Sequence, residues 1–267
     1  MNPRPLVKWC GGKTRLVPQI MEMVPPRFGR YHEPFLGGGA LFFAVRPKNA
    51  FLGDVNRKLI ETYCTVRDDV EGVIRFLQFY RYERTVYNMT RARNFEAGPP
   101  TQRAAEFIYC NKCGFNGLHR VNSKGQFNVP FGRYPKDHNP CDADNLRAAS
   151  LALRDATIKC HPYNVACEDM QPGDFAYFDP PYEPLSATSS FTKFTADGFT
   201  SEDQRRLAAV ALELKKRGVF VVLSNSAAPL IRELYQSPHW TIREIQASRS
   251  INSKGDGRAK ITELLIY

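Results

Sequence analysis

Val219-Phe220-Val221-Val222-Leu223 is an unbroken apolar run of strand length, and no other feature constrains the fold as tightly. A strand with one wet face alternates polar and apolar residues. A continuous run marks a strand covered on both faces, as in a parallel sheet under helices. Phe175-Ala176-Tyr177-Phe178 has the same character. Between the two runs a helix is expected over about 202–217, with Ser201 and Gln204 spaced as a capping box and Gly218 as the C-terminal stop. The first third reads the same way. Tyr31 to Phe35 is a short strand running into Leu36-Gly37-Gly38-Gly39, Ala40 to Val45 opens a helix, and Ala50 to Gly53 is a second strand ending at Asp54. Thr241–Ile245 and Ile261–Tyr267 flank a loop rich in Ser, Asn and Gly, which predicts an antiparallel hairpin at the sheet edge.

From Arg57 the period changes. Leu59, Ile60, Tyr63 and Val66 fall at helical spacing, as do Val70, Ile74 and Leu77. Gly98-Pro99-Pro100 breaks the pattern before another expected helix, Gln102 to Cys110, and 114–141 reads as loop and hairpin. The expected architecture is an α/β sheet domain, 1–56 plus 145–267, interrupted by a mostly helical insertion at 57–144. With 267 residues, 43% of them hydrophobic, the chain can bury a core without disulfides or structural metal. No apolar run approaches the roughly 18–20 residues of a membrane span, and the N-terminus has no apolar signal region. Seven cysteines, an odd and scattered set, predict free thiols in a reducing compartment and so a cytoplasmic protein.

The 37 Lys and Arg against 27 Asp and Glu leave a net charge of +10. Phe107 to Lys136 holds Lys112, Arg120, Lys124, Arg133 and Lys136 and no acidic residue, interleaved with Phe107, Tyr109, Phe115, Phe127, Phe131 and Tyr134. Cations interleaved with stacking faces suit a nucleic-acid groove, although a basic stretch can equally be a solvated face. The glycine turn with Asp54 after the next strand suits a nucleotide-type ligand, the acid binding ribose hydroxyls. Its spacing does not fit the dinucleotide fingerprint, which argues against an oxidoreductase. The sharpest signal is Asp179-Pro180-Pro181-Tyr182 at a strand's C-terminal end, where α/β sheets bind ligands. Prolines donate no N–H, so the turn offers only acceptors, suited to gripping the NH2 of a base or an amide, and Tyr182 adds a stacking face.

These elements resemble the DNA adenine methyltransferase (Dam) family, in the group whose cofactor motifs precede the recognition region and whose DPPY follows it. The resemblance spans nearly the whole chain: Lys8-Trp9-Cys10-Gly11-Gly12-Lys13, Glu33 to Gly39, Asp54-Val55-Asn56, Asn116 to Tyr134, Asp179 to Tyr182 with Pro184 to Thr188, and Arg249-Ser250-Ile251 with Arg258. Cys10 departs from the family's Ala, and Phe115 stands where relatives carry Tyr. The resemblance implies a Rossmann-like S-adenosylmethionine-dependent methyltransferase sheet with a target-recognition insertion, acting on double-stranded DNA at GATC sites. It implies donor binding by Trp9, Lys13, Phe35, Gly37, Gly39, Asp54 and Asp179, and catalysis at N6 of a flipped adenine by Asp179, Pro180, Pro181 and Tyr182. Of the recognition segment it implies that Arg120 reads guanine and that Leu118 and Pro130 lie against a thymine methyl. Phe115 and Asn116 would fill space or contact backbone around the displaced base, Asn122 would also bind DNA, and Lys112, Lys124, Arg133 and Lys136 would hold phosphates.

Cys110-x-x-Cys113 with His119, His138 and Cys141 is too irregular for a zinc set and predicts no metal; no obligatory protein partner is evident. Asn225, beyond the apolar run, is expected either to border the pocket or to cap its turn. Two other readings use the same fold: amino methylation of RNA or a protein amide, and a DNA-binding regulator without chemistry. The aspartate and the basic insertion weigh against the first, and the intact Asp179–Tyr182 and Lys13 against the second.

Overall fold

A computed structural model of the chain describes residues 2–185, 198–248 and 260–267. The strands are β1 (Tyr31–Glu33), β2 (Ala50–Asp54), β3 (Thr157–Cys160), β4 (Phe175–Phe178), β5 (Phe220–Ser226), β6 (Ile242–Ser248) and β7 (Lys260–Ile266). The helices are α1 (Val17–Met21), α2 (Ala40–Val45), α3 (Arg57–Asp68), α4 (Val70–Phe79), α5 (Arg84–Ala92), α6 (Pro100–Cys113), α7 (Ala143–Leu153), α8 (Tyr163–Cys167), α9 (Ser201–Lys216) and α10 (Pro229–Leu234), with a 3₁₀ turn at Phe115–Gly117. The strands form one sheet in the order β3-β2-β1-β4-β5-β7-β6. β1 pairs in parallel with β2 and β4, and β4 with β5. β7 pairs antiparallel with both β5 and β6, so the expected hairpin does lie at the edge.

Two corrections to the sequence reading have clear causes. β1 stops at Glu33, because Pro34 has no N–H to continue a ladder. β5 runs three residues past Leu223, through Ser224, Asn225 and Ser226, all buried and paired with Leu265, Leu264 and Glu263 of β7. The apolar signal ends where the strand becomes polar, not where it stops. The capping box of α9 also differs: Thr200, not Ser201, is the N-cap, accepting from Asp203 N while its own N–H donates to the Asp203 carboxylate. Gln204 takes no part in it and is buried. Gly218 does end the helix, at φ +87°.

The chain forms two compact units. One comprises Met1–Gly12, Gly37–Lys48 and Asp54–Cys160, the other Lys13–Leu36, Asn49–Gly53 and His161–Tyr267. In the first, Leu59, Ile60, Tyr63 and Val66 of α3 and Val73, Ile74 and Leu77 of α4 are buried, and both helices pack on α6. The segment after α6 is the expected loop and hairpin, closed by bridges between Gly114 and Phe131 and between Val121 and Phe127. Tyr87, fully buried on α5, donates to the Val129 carbonyl and ties the helices to it. In the second unit β4 is buried along its whole length, with Leu207, Ala211 and Leu214 of α9 and Leu264 and Ile266 of β7 in the same core.

The amino ends of β1 and β4 are pinned by Asp174. Its carboxylate accepts from Arg30 N and Nε and from Gln171 N, each at 2.9 Å, and lies 3.1 Å from His32 Nε2. Burial alone would raise this carboxyl, but the Arg30 and backbone donors hold it at about 2. An unfolded aspartate titrates near ~3.9, so this stabilisation is complete above that range and is lost as pH falls through about 2. Asp174→Asn is expected to cost on the order of 2 kcal/mol at neutral pH, with the deficit vanishing on the acid side, as read by urea unfolding at stepped pH.

Candidate active site

β4 is apolar and buried, and the chain leaves it at Asp179. At this strand end Lys13 Nζ lies 2.8 Å from Asp179 Oδ1, with the two side chains only 6% and 18% exposed. Ser224 of β5 donates to the same oxygen at 2.7 Å. A serine has one O–H, so Tyr177, whose hydroxyl is 3.0 Å from Ser224 Oγ, must be the donor of that second bond. A buried charge is costly unless paired and hydrogen-bonded, and Asp179 is both.

Tyr182 lies across the same ammonium. Lys13 Nζ is 4.5 Å from the centre of its ring, a cation–π distance, and the phenol donates to Glu263 Oε2 of β7 at 2.8 Å. One end of the ring is therefore held by a carboxylate and its face is against a cation. Burial pushes the Glu263 carboxyl above the ordinary glutamate range; Lys13 and the Tyr182 hydroxyl oppose that shift and Asp179 adds to it. Burial, and then the Asp179 charge, likewise drive the Tyr182 phenol well up, so it stays a donor. The structure thus brings together Lys13, Asp179 and Tyr182, and adds Tyr177, Ser224 and Glu263, which the sequence reading missed. Ser224 carried a signal, as the first polar residue after the apolar run. Glu263 carried none, since only strand register places it.

In the other unit, Gly37 has φ +46°, a conformation that favours glycine, and a Cβ built there would sit 2.7 Å from Trp9 Cδ1. Its N–H donates to Asp54 Oδ2 at 3.0 Å, while Asn56 N donates to Oδ1 at 2.8 Å. Burial raises the Asp54 carboxyl against these backbone bonds. Trp9, Gly37 and Asp54 are therefore assembled as one group, and Gly39, at φ +65°, closes the turn before α2. Trp9 also stacks on His119, with ring centres 5.2 Å apart. A desolvated carboxylate at a strand end, beside a turn too tight for any side chain, fits a ribose-bearing ligand. Phe35, in the unit of Asp179, stacks on Tyr163 and meets Phe178 and Phe199 edge-on.

Among the residues expected to meet DNA, Arg120, Lys124, Pro130 and Arg133 are exposed, as are Phe115 and Asn116, the latter at φ +54°. Arg120 is splinted, its Nε donating to Asn128 Oδ1 at 2.8 Å. Asn122 shapes the hairpin tip by accepting from Lys124 N and Gln126 N, and Leu118 is half-buried. Lys112 is half-buried too, and burial pushes its ammonium down. The expected stacking faces need correction. Phe107, Tyr109 and Phe127 are buried, and Phe131 and Tyr134 pack against Tyr82, which leaves Phe115 as the exposed ring of the six. The first two lie on opposite sides of α6, which is buried all round from Ala104 to Asn111. Cys110 and Cys113 are buried with raised thiols, and no three His, Cys, Asp or Glu among the described residues converge as a metal set. Ser186, Ala187, Thr188, Arg249, Ser250, Ile251 and Arg258 lie outside the described residues.

The description of D12 class N6 adenine-specific DNA methyltransferases matches residues 9–251, and the chain belongs to that family. It is 41% identical to the Type II methyltransferase M1.LlaDCHI of Lactococcus lactis subsp. cremoris, over the whole chain and 95% of that protein. It is 38% identical to the Type II methyltransferase M.MjaIII of Methanocaldococcus jannaschii, over the whole chain and 99% of that protein. It is 35% identical to the DNA adenine methylase of Escherichia coli K12, over 98% of the chain and 94% of that protein. The fold is that of S-adenosylmethionine-dependent methyltransferases, and the enzyme class is adenine-specific DNA methylation. No helix among the described residues is long and apolar enough to cross a membrane.

The raised Glu263 carboxyl makes its charged form costly in the fold. Glu263→Gln keeps an acceptor for Tyr182 and removes that charge. Its melting temperature should exceed the parent's at mildly alkaline pH, and the gain should fade as pH falls through the raised value toward the ordinary glutamate range. A scanning-calorimetry pH series checks this.

Proposed function

We propose that the chain methylates N6 of an adenine flipped out of duplex DNA, at GATC sites, and that S-adenosylmethionine is the donor. The reading rests on one observation above all: an acceptor-only turn, Asp179 to Tyr182, whose carboxylate is held by buried Lys13 and Ser224 and whose phenol is held by half-buried Glu263. S-adenosylmethionine, when bound, supplies a methyl group on a positively charged sulfonium. Trp9, Gly37, Gly39 and Asp54, with Lys13, Phe35 and Asp179, are the residues we assign to holding it, Asp54 through the ribose hydroxyls.

Adenine in duplex is stacked and paired, so its amine is reached only by flipping, and the Tyr182 face would receive the ring. The N6 lone pair is delocalised into that ring and is a poor nucleophile. With Asp179 Oδ1 held by Lys13 and Ser224, we assign one N6–H to Oδ2 and the other to the Pro180 carbonyl. Both bonds draw electron density back onto nitrogen and hold it in one orientation. As the N–CH3 bond formed, the S–CH3 bond would break and leave a neutral thioether; the surplus proton on the cationic nitrogen is acidic and would pass to water, so Asp179 need not be a strong base.

We assign DNA reading to 57–144 and methyl transfer to 1–56 with 145–267. Arg120 would take guanine O6 and N7, its Nε already held by Asn128, and Lys124 and Arg133 would position on phosphates. The net charge of +10 suits a polyanion.

Labelled donor should mark a duplex carrying GATC and not one carrying GTAC, and Asp179→Ala should abolish the label. Arg120→Ala should lower kcat/KM on GATC by roughly 10- to 100-fold, the worth of a bidentate guanine contact, and relax the preference for that base. Label in both duplexes, or only at another site, would discard GATC and keep the chemistry. Label in RNA or protein alone would overturn the reading.

A further inference from the structure

Asp179-Pro180-Pro181-Tyr182 cannot hold its own shape through backbone donors at its two prolines, and its carbonyls would compete for any amine presented to them. The structure supplies an external frame. Gln204, 1% exposed on α9, donates from Nε2 to the Pro181 carbonyl at 2.8 Å. Its Oε1 accepts from Nδ2 of Asn225, also 1% exposed, at 3.0 Å. Asn225 Oδ1 in turn accepts from Glu183 N at 3.2 Å and Ser226 N at 2.8 Å, and Ser226 Oγ donates to the Glu183 carbonyl at 2.6 Å.

The direction of this relay is dictated by its ends. Two backbone N–H groups can only donate, so Asn225 must turn its oxygen to them and its amide N–H to Gln204. Gln204 must then present its oxygen to Asn225 and its own N–H to a carbonyl that can only accept. The backbone on both sides of Tyr182, the Pro181 carbonyl before it and the Glu183 N–H after it, is thus held by one pair of buried amides.

We propose that Gln204 and Asn225 are positioning residues for the acceptor turn: Gln204 withdraws the Pro181 carbonyl, which leaves the Pro180 carbonyl to the substrate amine, and the pair sets the placement of Tyr182. This rests on the reading of Asp179 to Tyr182 as the adenine acceptor. Neither amide touches the substrate in this scheme, so the effect falls on the transfer step and not on donor or DNA affinity.

The test is single-turnover methylation of a GATC duplex by the full chain, with donor affinity and melting temperature measured alongside. Gln204→Leu removes the donor at similar volume and should slow transfer by roughly 10- to 100-fold, the scale of a small misplacement of reacting groups, with donor Kd and DNA KM within about threefold of the parent. Gln204→Glu separates positioning from packing. Its carboxylate would face the Pro181 carbonyl without a proton, whereas the protonated carboxyl can donate as the amide does. Burial raises such a carboxyl, so the rate relative to the parent should be highest at the acid end and should fall as pH rises. A parental rate in both variants, or a slow Gln204→Glu with a flat ratio across pH, overturns the proposal. Should Gln204→Leu not fold, the Gln204→Glu ratio decides alone. A parent that methylates no DNA removes the reading of the site and this proposal together; with an active parent that Asp179→Ala silences, the Gln204 variants test the positioning role by itself.

Discussion

A carboxylate at the end of a fully buried strand has to be solvated by protein, and the proposed acceptor site follows from how Asp179 meets that demand. Lys13 supplies the counter-charge and Ser224 a hydroxyl, both on Oδ1. With its one proton spent there, Ser224 accepts from Tyr177, which is itself buried in β4. The same ammonium covers the ring of Tyr182, whose hydroxyl is tied to Glu263. Removing Asp179 would therefore take the nearest counter-charge from a buried ammonium as well as empty the proposed acceptor position, and the loss is not confined to one bond.

The polar tail of β5 is the second consequence. Ser224, Asn225 and Ser226 lie where the sheet core would favour Val or Ile, and each is buried. Burying polar side chains is tolerable only when their bonds are made, and here they are made toward Asp179, Gln204 and the Glu183 backbone. β7 serves the same end. Its antiparallel pairing sets Glu263 opposite Ser226, which brings the carboxylate to Tyr182.

Much of this was legible in the sequence because it was local. Helical period marked α3 and α4, continuous apolarity marked β4 and the start of β5, and two prolines after a strand marked the turn where β4 ends. What sequence could not show depends on pairing across the sheet or between elements. Glu263 is one alternating residue in an edge-region strand until β7 is registered on β5. Gln204 has the right spacing for a cap and the wrong direction, since Thr200 already serves the helix end and the glutamine side chain points inward. The aromatic residues of the basic segment misled for the converse reason: composition does not say that α6 is packed on all sides, and Phe107 and Tyr109 are buried on opposite sides of it.

The charge balance of the acceptor site also speaks to what it can select. An unpaired buried aspartate would attract any cation, including the ammonium of a lysine side chain. Here that attraction is already met by Lys13, so what the turn has left to offer is directional acceptance without strong net charge. A neutral planar amine can use such acceptors and stack on Tyr182, whereas a second ammonium would meet Lys13 at close range. The arrangement thus favours an exocyclic amine over a charged one by electrostatics, and a flat ring over an amide by stacking area. In the proposed reading the charge that gathers a polyanion lies elsewhere, on exposed groups such as Lys124 and Arg133, so long-range attraction and local selection would be carried by different residues.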